Sequence, residues 1–409
     1  VKGLVFDLSL PKYVLAKGLG RLYPRLHYGL GSCLSLRELP SPALPGPGWV
    51  RLKPRLAGLC GSDLATLFFK VSLQLEPFNS FPAVLGHEIL ATLEEDGPGL
   101  EAGQRVAVDP LLPCRLRGLA PPCKPCAAGQ ENGCERTADG CLAAGQMLGY
   151  QRDLPGGMGT GMVAHPSQLH PLPPGVSDKA GVLVEPLAVG LHAVLKVPLK
   201  PEDRVLVIGG GAVAFAVLWA IRALGYRNPV TLLAAEEYQR KLALQLGADD
   251  TVLVQEDAAE AREVARLTGA RLYKPILGPP TLTGGFEVTI DCIGSPASVQ
   301  DSLRYTRALG KVVLVGAAGR LNGVDWTMVW RHELTVLGSY VYGTETFRGE
   351  RKHTFDLVLE LLSRREGPDP SVLVTHLFPL SRYQEAIEAN LARGRWQSVK
   401  TAFDLTVNP

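Results

Sequence analysis

Val205-Leu206-Val207-Ile208 runs straight into Gly209-Gly210-Gly211-Ala212-Val213-Ala214, and the apolar character continues to Ile221. No charged residue interrupts positions 205 to 221, which approaches the roughly 18 to 20 apolar residues of a membrane-spanning helix. The three glycines decide against a span. They divide the run into a short strand, apolar on both faces, and a helix that continues to Arg222 and Leu224. A strand of that kind belongs in a parallel sheet covered on both sides, which means an α/β architecture. The turn reads G-x-G-x-x-A. Gly209 permits the tight turn, Gly211 lets backbone approach a pyrophosphate, and Ala214 allows close packing of helix on strand. Val213 lies in the same turn, where the helix N-terminus faces negative charge. Such a motif is weak alone, and gains its meaning from the strand before it and the βαβ pattern after it.

Residues 230–233, 288–290 and 312–315 are further short strands, most of them separated by helix-compatible stretches such as 237–246 and 258–267. Residues 1 to 185 have another texture. Short apolar runs such as 49–52 and 105–108 alternate there with Pro and Gly clusters at 40–48, 110–125 and 155–161, which reads as β-rich and irregular. Strand and loop return from Gly338 onward, with amphipathic helices near 354–364 and 381–393. The 409 residues exceed the roughly 250 to 300 at which one hydrophobic core stops growing. The expected division is a discontinuous β-rich domain, 1–185 plus 340–409, carrying the metal sites, and a doubly wound dinucleotide-binding domain at 186–339.

Forty-two Lys plus Arg against 40 Asp plus Glu leave a net charge of +2. That balance gives no broad field for nucleic acid or anionic lipid, so a small-molecule partner is expected instead. Residues 1–10 carry Lys2 and Asp7 and lack an apolar core with a small-residue cleavage site. No secretory signal is expected there, and the chain is placed in the cytoplasm.

Cys60 sits in Gly58-Leu59-Cys60-Gly61-Ser62-Asp63, His87 and Glu88 in Gly86-His87-Glu88, and Glu185 in Val184-Glu185-Pro186-Leu187. Taken singly these are a buried thiol, a loop histidine and solvated acids. A thiolate, an imidazole and carboxylates together suit Zn²⁺, and a catalytic zinc keeps one position open for a substrate oxygen. A second group is Cys114, Cys123, Cys126 and Cys134. Cys-x2-Cys followed by x7 and another Cys fits a closed tetrahedral site, the alternative being a three-cysteine remnant without metal. Cys33, Cys141 and Cys292 have no partners at ligand spacing and read as structural.

The Cys-Gly-Ser-Asp turn, the Gly-His-Glu turn and the string Val184-Glu185-Pro186-Leu187-Ala188-Val189-Gly190-Leu191-His192-Ala193 occur in this order over most of the chain. Together they resemble the zinc-dependent medium-chain dehydrogenase/reductase family, and the last string resembles its polyol and threonine dehydrogenase branch. The resemblance implies a GroES-like catalytic domain beside a Rossmann cofactor domain. It also implies a catalytic zinc at Cys60, His87, Glu88 and Glu185, the last as ligand or water partner, and a structural zinc at the four-cysteine lobe. Asp63 would hydrogen-bond the far nitrogen of His87, and Ser62 would touch the substrate hydroxyl and pass on its proton. A homo-dimer or homo-tetramer is implied as well. The chain departs from the family at Arg115 to Pro122, which lengthen the usual two-residue gap after Cys114, and at Ala65, where a histidine is common.

The strand ends Asp291-Cys292-Ile293-Gly294 and Leu314-Val315-Gly316 correspond in that family to the nicotinamide half of the cofactor, which brings in Gly294 and Gly316. An acid reading the ribose is expected at the end of the second strand, where Ala234 stands. Glu236 is the nearest candidate, with Arg240 and Lys241 close behind, so NAD and NADP both remain open. Phe68, Phe69, Phe78 and Phe81 either wall a substrate pocket or belong to ordinary core. The expected function is hydride transfer between an alcohol or polyol and NAD(P). Two rivals are a metal-free quinone or enoyl reductase on the same fold and a non-catalytic, zinc-stabilised nucleotide-binding protein.

Overall fold

A computed structural model describes residues 1–255 and 259–407. Its contacts divide the chain into two units, Val1–Glu185 with Thr346–Ser363 and Ser371–Pro409, and Pro186–Glu345 with Arg364–Pro370.

The first unit is built on a seven-stranded sheet. Its order is Val374–Pro379, Lys400–Asp404, Val50–Leu59, Glu88–Leu93, Arg105–Val108 and Leu169–Pro171, with Met162–Ala164 also paired to Val50–Leu59. Alternating burial along Val50–Leu59 turns Val50, Leu52 and Leu56 inward, as period-two patterning requires. Pro54 lies inside this central strand, where a missing N–H breaks the ladder. The pairing with Glu88–Leu93 shifts register between Pro54 and Leu56, so the proline sits at the irregularity. A smaller sheet joins Leu34–Glu38, Lys2–Phe6 and Ala83–Val84. Phe68, Phe69 and Phe81 pack against the core around Phe6, and Phe78 is exposed. Ordinary core is therefore what three of the four aromatics supply.

The second unit holds six parallel strands in the order Asp250–Leu253, Val230–Ala234, Val205–Ile208, Phe286–Asp291, Thr306–Leu314 and Thr335–Gly338. Strand order reverses direction between Val205–Ile208 and Phe286–Asp291, the switch point at which doubly wound sheets bind ligands. The helix Ala212–Ala223 is buried almost all round, from Ala214 to Ala223, which accounts for the long apolar run. No helix among the described residues is long and apolar enough to cross a membrane. Helices also form at Glu237–Gln245 and Glu260–Thr268; Ala258, expected to open the latter, lies outside the described residues.

Candidate metal centre and cofactor loop

Three strands of the first unit deliver the Cys60 centre to one end of the sheet. Gly58 pairs with Glu88, and Leu59 pairs with Thr401. A Cβ on Gly58 would overlap the Glu88 Oε2 atom, so only glycine leaves room for that carboxylate. Cys60 then caps the helix Gly61–Leu67, and its N–H donates to Asp63 Oδ2 at 2.9 Å. His87 enters from the turn before Glu88–Leu93. The thiol, imidazole and carboxylate of Cys60, His87 and Glu88 offer ligand atoms that all lie within 4.8 Å of one another.

Glu185 is not in that group. It stands in the first turn of the helix Val184–Leu195, and burial pushes its carboxyl up to about 8, against the pull of His87. Asp63 Oδ1 lies 3.5 Å from His87 Nδ1, beyond a good hydrogen bond, and Nδ1 has no hydrogen-bond partner. On the other edge of the ring, Ser62 Oγ is 3.4 Å from Nε2. Burial works against a charged His87, yet Asp63 and then Tyr150 hold its pKa well above the ordinary value. The half-buried Cys60 thiol, the buried His87 imidazole and the buried Glu88 carboxylate form a donor set that a divalent cation fits.

Two participants carry no motif. Tyr150 donates its hydroxyl to Asp63 Oδ1 at 3.3 Å. Lys400 places Nζ at 2.5 and 2.6 Å from the two Glu88 oxygens, with Leu59 O at 3.4 Å. Burial opposes the lysine's charge, but Glu88 and then Cys60 raise its pKa above the usual value. Glu88 is thus both near the metal position and neutralised from behind.

Cys114, Cys123, Cys126 and Cys134 also converge within 4.8 Å. The Cys114 and Cys134 sulfurs are 3.7 Å apart, close to the roughly 3.8 Å that tetrahedral geometry gives for Zn–S bonds of about 2.3 Å. Burial opposes ionisation of Cys123, but backbone N–H groups near Glu135 and Cys126 bring that thiol down to about 7. Burial raises Cys126 and Cys134. Four such thiols ionise together only around a cation. The long Arg115–Pro122 insertion folds into the short helix Cys114–Arg117, whose Arg117 guanidinium binds the carbonyls of Leu112, Asp139, Leu142 and Ala143. All eight cysteines are free of disulfides.

In the second unit Gly209 takes φ +130 after the Val205–Ile208 strand, and Gly211 caps the helix that contains Val213 and the buried Ala214. Gly294, at φ +75, and Gly316 abut: a Cβ on Gly316 would overlap the Ile293 carbonyl carbon. The two strand-end loops meet closely only because both residues are glycine. Ala234 is the last residue of its strand, and Glu236 is exposed at the N-cap of Glu237–Gln245. Gln239 Oε1 accepts from the Ala235 and Glu236 N–H groups at 3.1 Å each.

A family model described as the alcohol dehydrogenase GroES-like domain matches residues 46–174, and one described as zinc-binding dehydrogenase matches 211–362. L-idonate 5-dehydrogenase of Vitis vinifera is 31% identical over 368 residues, 88% of this chain and 89% of the relative. The chain belongs to the zinc-dependent medium-chain dehydrogenase/reductase family. Membership makes it a zinc-dependent oxidoreductase that uses NAD or NADP and moves a hydride to or from a CH–OH group. Sorbitol dehydrogenase of Arabidopsis thaliana is 29% identical over 370 residues, 88% of this chain and 89% of the relative. The structure of galactitol-1-phosphate dehydrogenase from Escherichia coli shares the fold at a TM-score of 0.71 and 22% identity, covering 99% of this chain and all of that one.

Proposed function

We propose that the chain is a polyol dehydrogenase whose substrate hydroxyl is held at the Cys60 centre. The convergence of Cys60, His87 and Glu88 beside the Ser62 hydroxyl supports this reading most directly, and the polyol-dehydrogenase names of the relatives agree with it. Zinc bound there supplies a Lewis acid to the alcohol oxygen, and NAD(P) bound along Gly209, Gly211, Val213, Ala214, Gly294 and Gly316 supplies the hydride acceptor.

The protein's own groups do the rest. Cys60 and His87 are the ligands, and Glu185 completes the set directly or through water. Asp63, pinned by the Cys60 N–H and Tyr150, orients His87. Ser62 is half-buried and both donates and accepts, so it takes the substrate's hydroxyl proton while passing its own outward. With Ala65 in place of a ring, that relay does not run through position 65. Lys400 stays paired with Glu88 and offsets that second negative charge beside the ligands. Reduction of the ketone uses the same groups in reverse.

The cysteine lobe suits a reducing compartment, in keeping with a cytoplasmic location, and the family likeness supports a homo-dimer or homo-tetramer. The test is a screen of polyols and simple secondary alcohols with both nicotinamide cofactors, following absorbance of the reduced form. Turnover confined to vicinal polyols is expected. Turnover of quinones or enoyl substrates alone, unaffected by zinc removal, contradicts the proposal.

A further inference from the structure

Three side chains of the first unit, none of them in either cysteine group, converge in a further cluster. Asp109 follows the Arg105–Val108 strand, His170 lies in the neighbouring edge strand Leu169–Pro171, and His353 ends Glu350–His353. Their possible ligand atoms all lie within 4.8 Å of one another.

His170 carries the argument. Its Nδ1 is 2.6 Å from Asp356 Oδ1, so the ring proton is held by that carboxylate and the lone pair is left on Nε2. Nε2 is buried without a hydrogen-bond partner, in a residue only 8% exposed. A carboxylate behind a ring whose far nitrogen is bare is how metal-binding histidines are oriented. Asp109 is 1% exposed; its Oδ1 accepts from the Leu111 N–H at 3.0 Å, while Oδ2 faces His353 Nε2 at 3.4 Å. The two imidazoles are stacked with centroids 4.9 Å apart and planes at 20°. One cation placed among them satisfies both imidazoles and the buried carboxylate.

We propose that Asp109, His170 and His353 hold a further divalent transition-metal ion of the zinc class. Two imidazoles and one carboxylate match that class and disfavour Mg²⁺ or Ca²⁺, which want oxygen. In the metal-free protein His353 Nδ1 accepts from the Phe355 N–H at 3.3 Å, which puts its ring proton on Nε2. The ion takes the place of that proton, which moves to Nδ1 in exchange for the long Phe355 contact. The side chain of His353 is 20% exposed and gives the ion a way in. The bound ion ties the returning segment Thr346–Ser363, with its helix Thr354–Ser363, to the edge of the main sheet. It is a staple, independent of the Cys60 chemistry.

The experiment loads the full chain with Zn²⁺, removes free metal and measures zinc per chain in wild type, His353→Ala and His170→Gln. Each variant is expected to hold one equivalent less than wild type. Because the reading is a difference, partial loading of the Cys60 centre does not imitate it. Equal zinc content in wild type and both folded variants overturns the proposal. Should either variant fail to fold by circular dichroism, Asp356→Asn decides, since it keeps all three ligands and removes only the carboxylate behind His170. Competition with a chelator should then show one ion weakened about 10- to 100-fold, and unchanged affinity overturns the proposal.

Discussion

The cysteine lobe and the Cys60 centre are two candidate metal sites of different design. The lobe draws four thiols from residues 114 to 134 and closes them around a point. The Cys60 centre gathers a thiol that follows one strand with an imidazole and a carboxylate at the start of its neighbour, and leaves a serine hydroxyl beside the ring. Four thiolates saturate a tetrahedral ion, so on the proposed reading the lobe would bind nothing further and would contribute stability. The mixed centre brings together fewer ligand atoms, and a buried lysine pairs with its Glu88 carboxylate.

Removing a lobe ligand has the largest expected effect on folding. Cys126→Ser should cost several kcal/mol and lower Tm by about 10 °C, with proteolysis between residues 114 and 142, while turnover per folded molecule persists. An unchanged Tm would mean that the lobe carries no metal. Lys400→Met should be next, because it leaves Glu88 buried without its partner, a loss of about 3 to 5 kcal/mol. Urea unfolding should show it, and adding Glu88→Gln should restore much of it; a cost below about 1 kcal/mol would put Lys400 outside the centre's charge balance. Asp63→Asn tests orientation alone. It should lower turnover or zinc affinity about 10- to 100-fold with little change in stability. The smallest effect is expected in the cofactor unit. Glu236 is exposed at a helix cap, so Glu236→Ala should change NADH binding by less than about threefold. A loss of tenfold or more, the worth of a charge-assisted hydrogen bond of about 1.5 to 3 kcal/mol, would show that the loop brings this carboxylate to the ribose.

What the sequence made readable follows the same division. Cys123, Cys126 and Cys134 are close in the chain, and Gly209 to Ala214 is one strand-turn-helix, so spacing alone exposes both. Four of the six parallel strands were legible from apolar runs because they are largely buried, whereas the edge strands Asp250–Leu253 and Thr335–Gly338 are mostly half-buried or exposed and show no such run. Lys400 was not, since it pairs with a residue 312 positions away and looks like any charge flanking a strand. Tyr150 reaches Asp63 from 87 positions away and lies in a loop without periodicity. Asp109, His170 and His353 lie far apart in the chain, and only the folding of the returning segment Thr346–Ser363 with the main sheet brings them together. Glu88 was legible as an acid beside Cys60 and His87, but its pairing with Lys400 depended on a register that pairs Gly58 with Glu88 and Leu59 with Thr401.

The central claim is that the Cys60 centre does chemistry and the lobe does not. Cys60→Ser tests it most directly, with zinc content, NADH binding and polyol turnover measured on one preparation. The account predicts the loss of one zinc equivalent and a fall in turnover of roughly a thousandfold or more, the worth of several kcal/mol of Lewis-acid stabilisation, with NADH binding and Tm nearly unchanged. Turnover equal to wild type, whatever the zinc content, would contradict it.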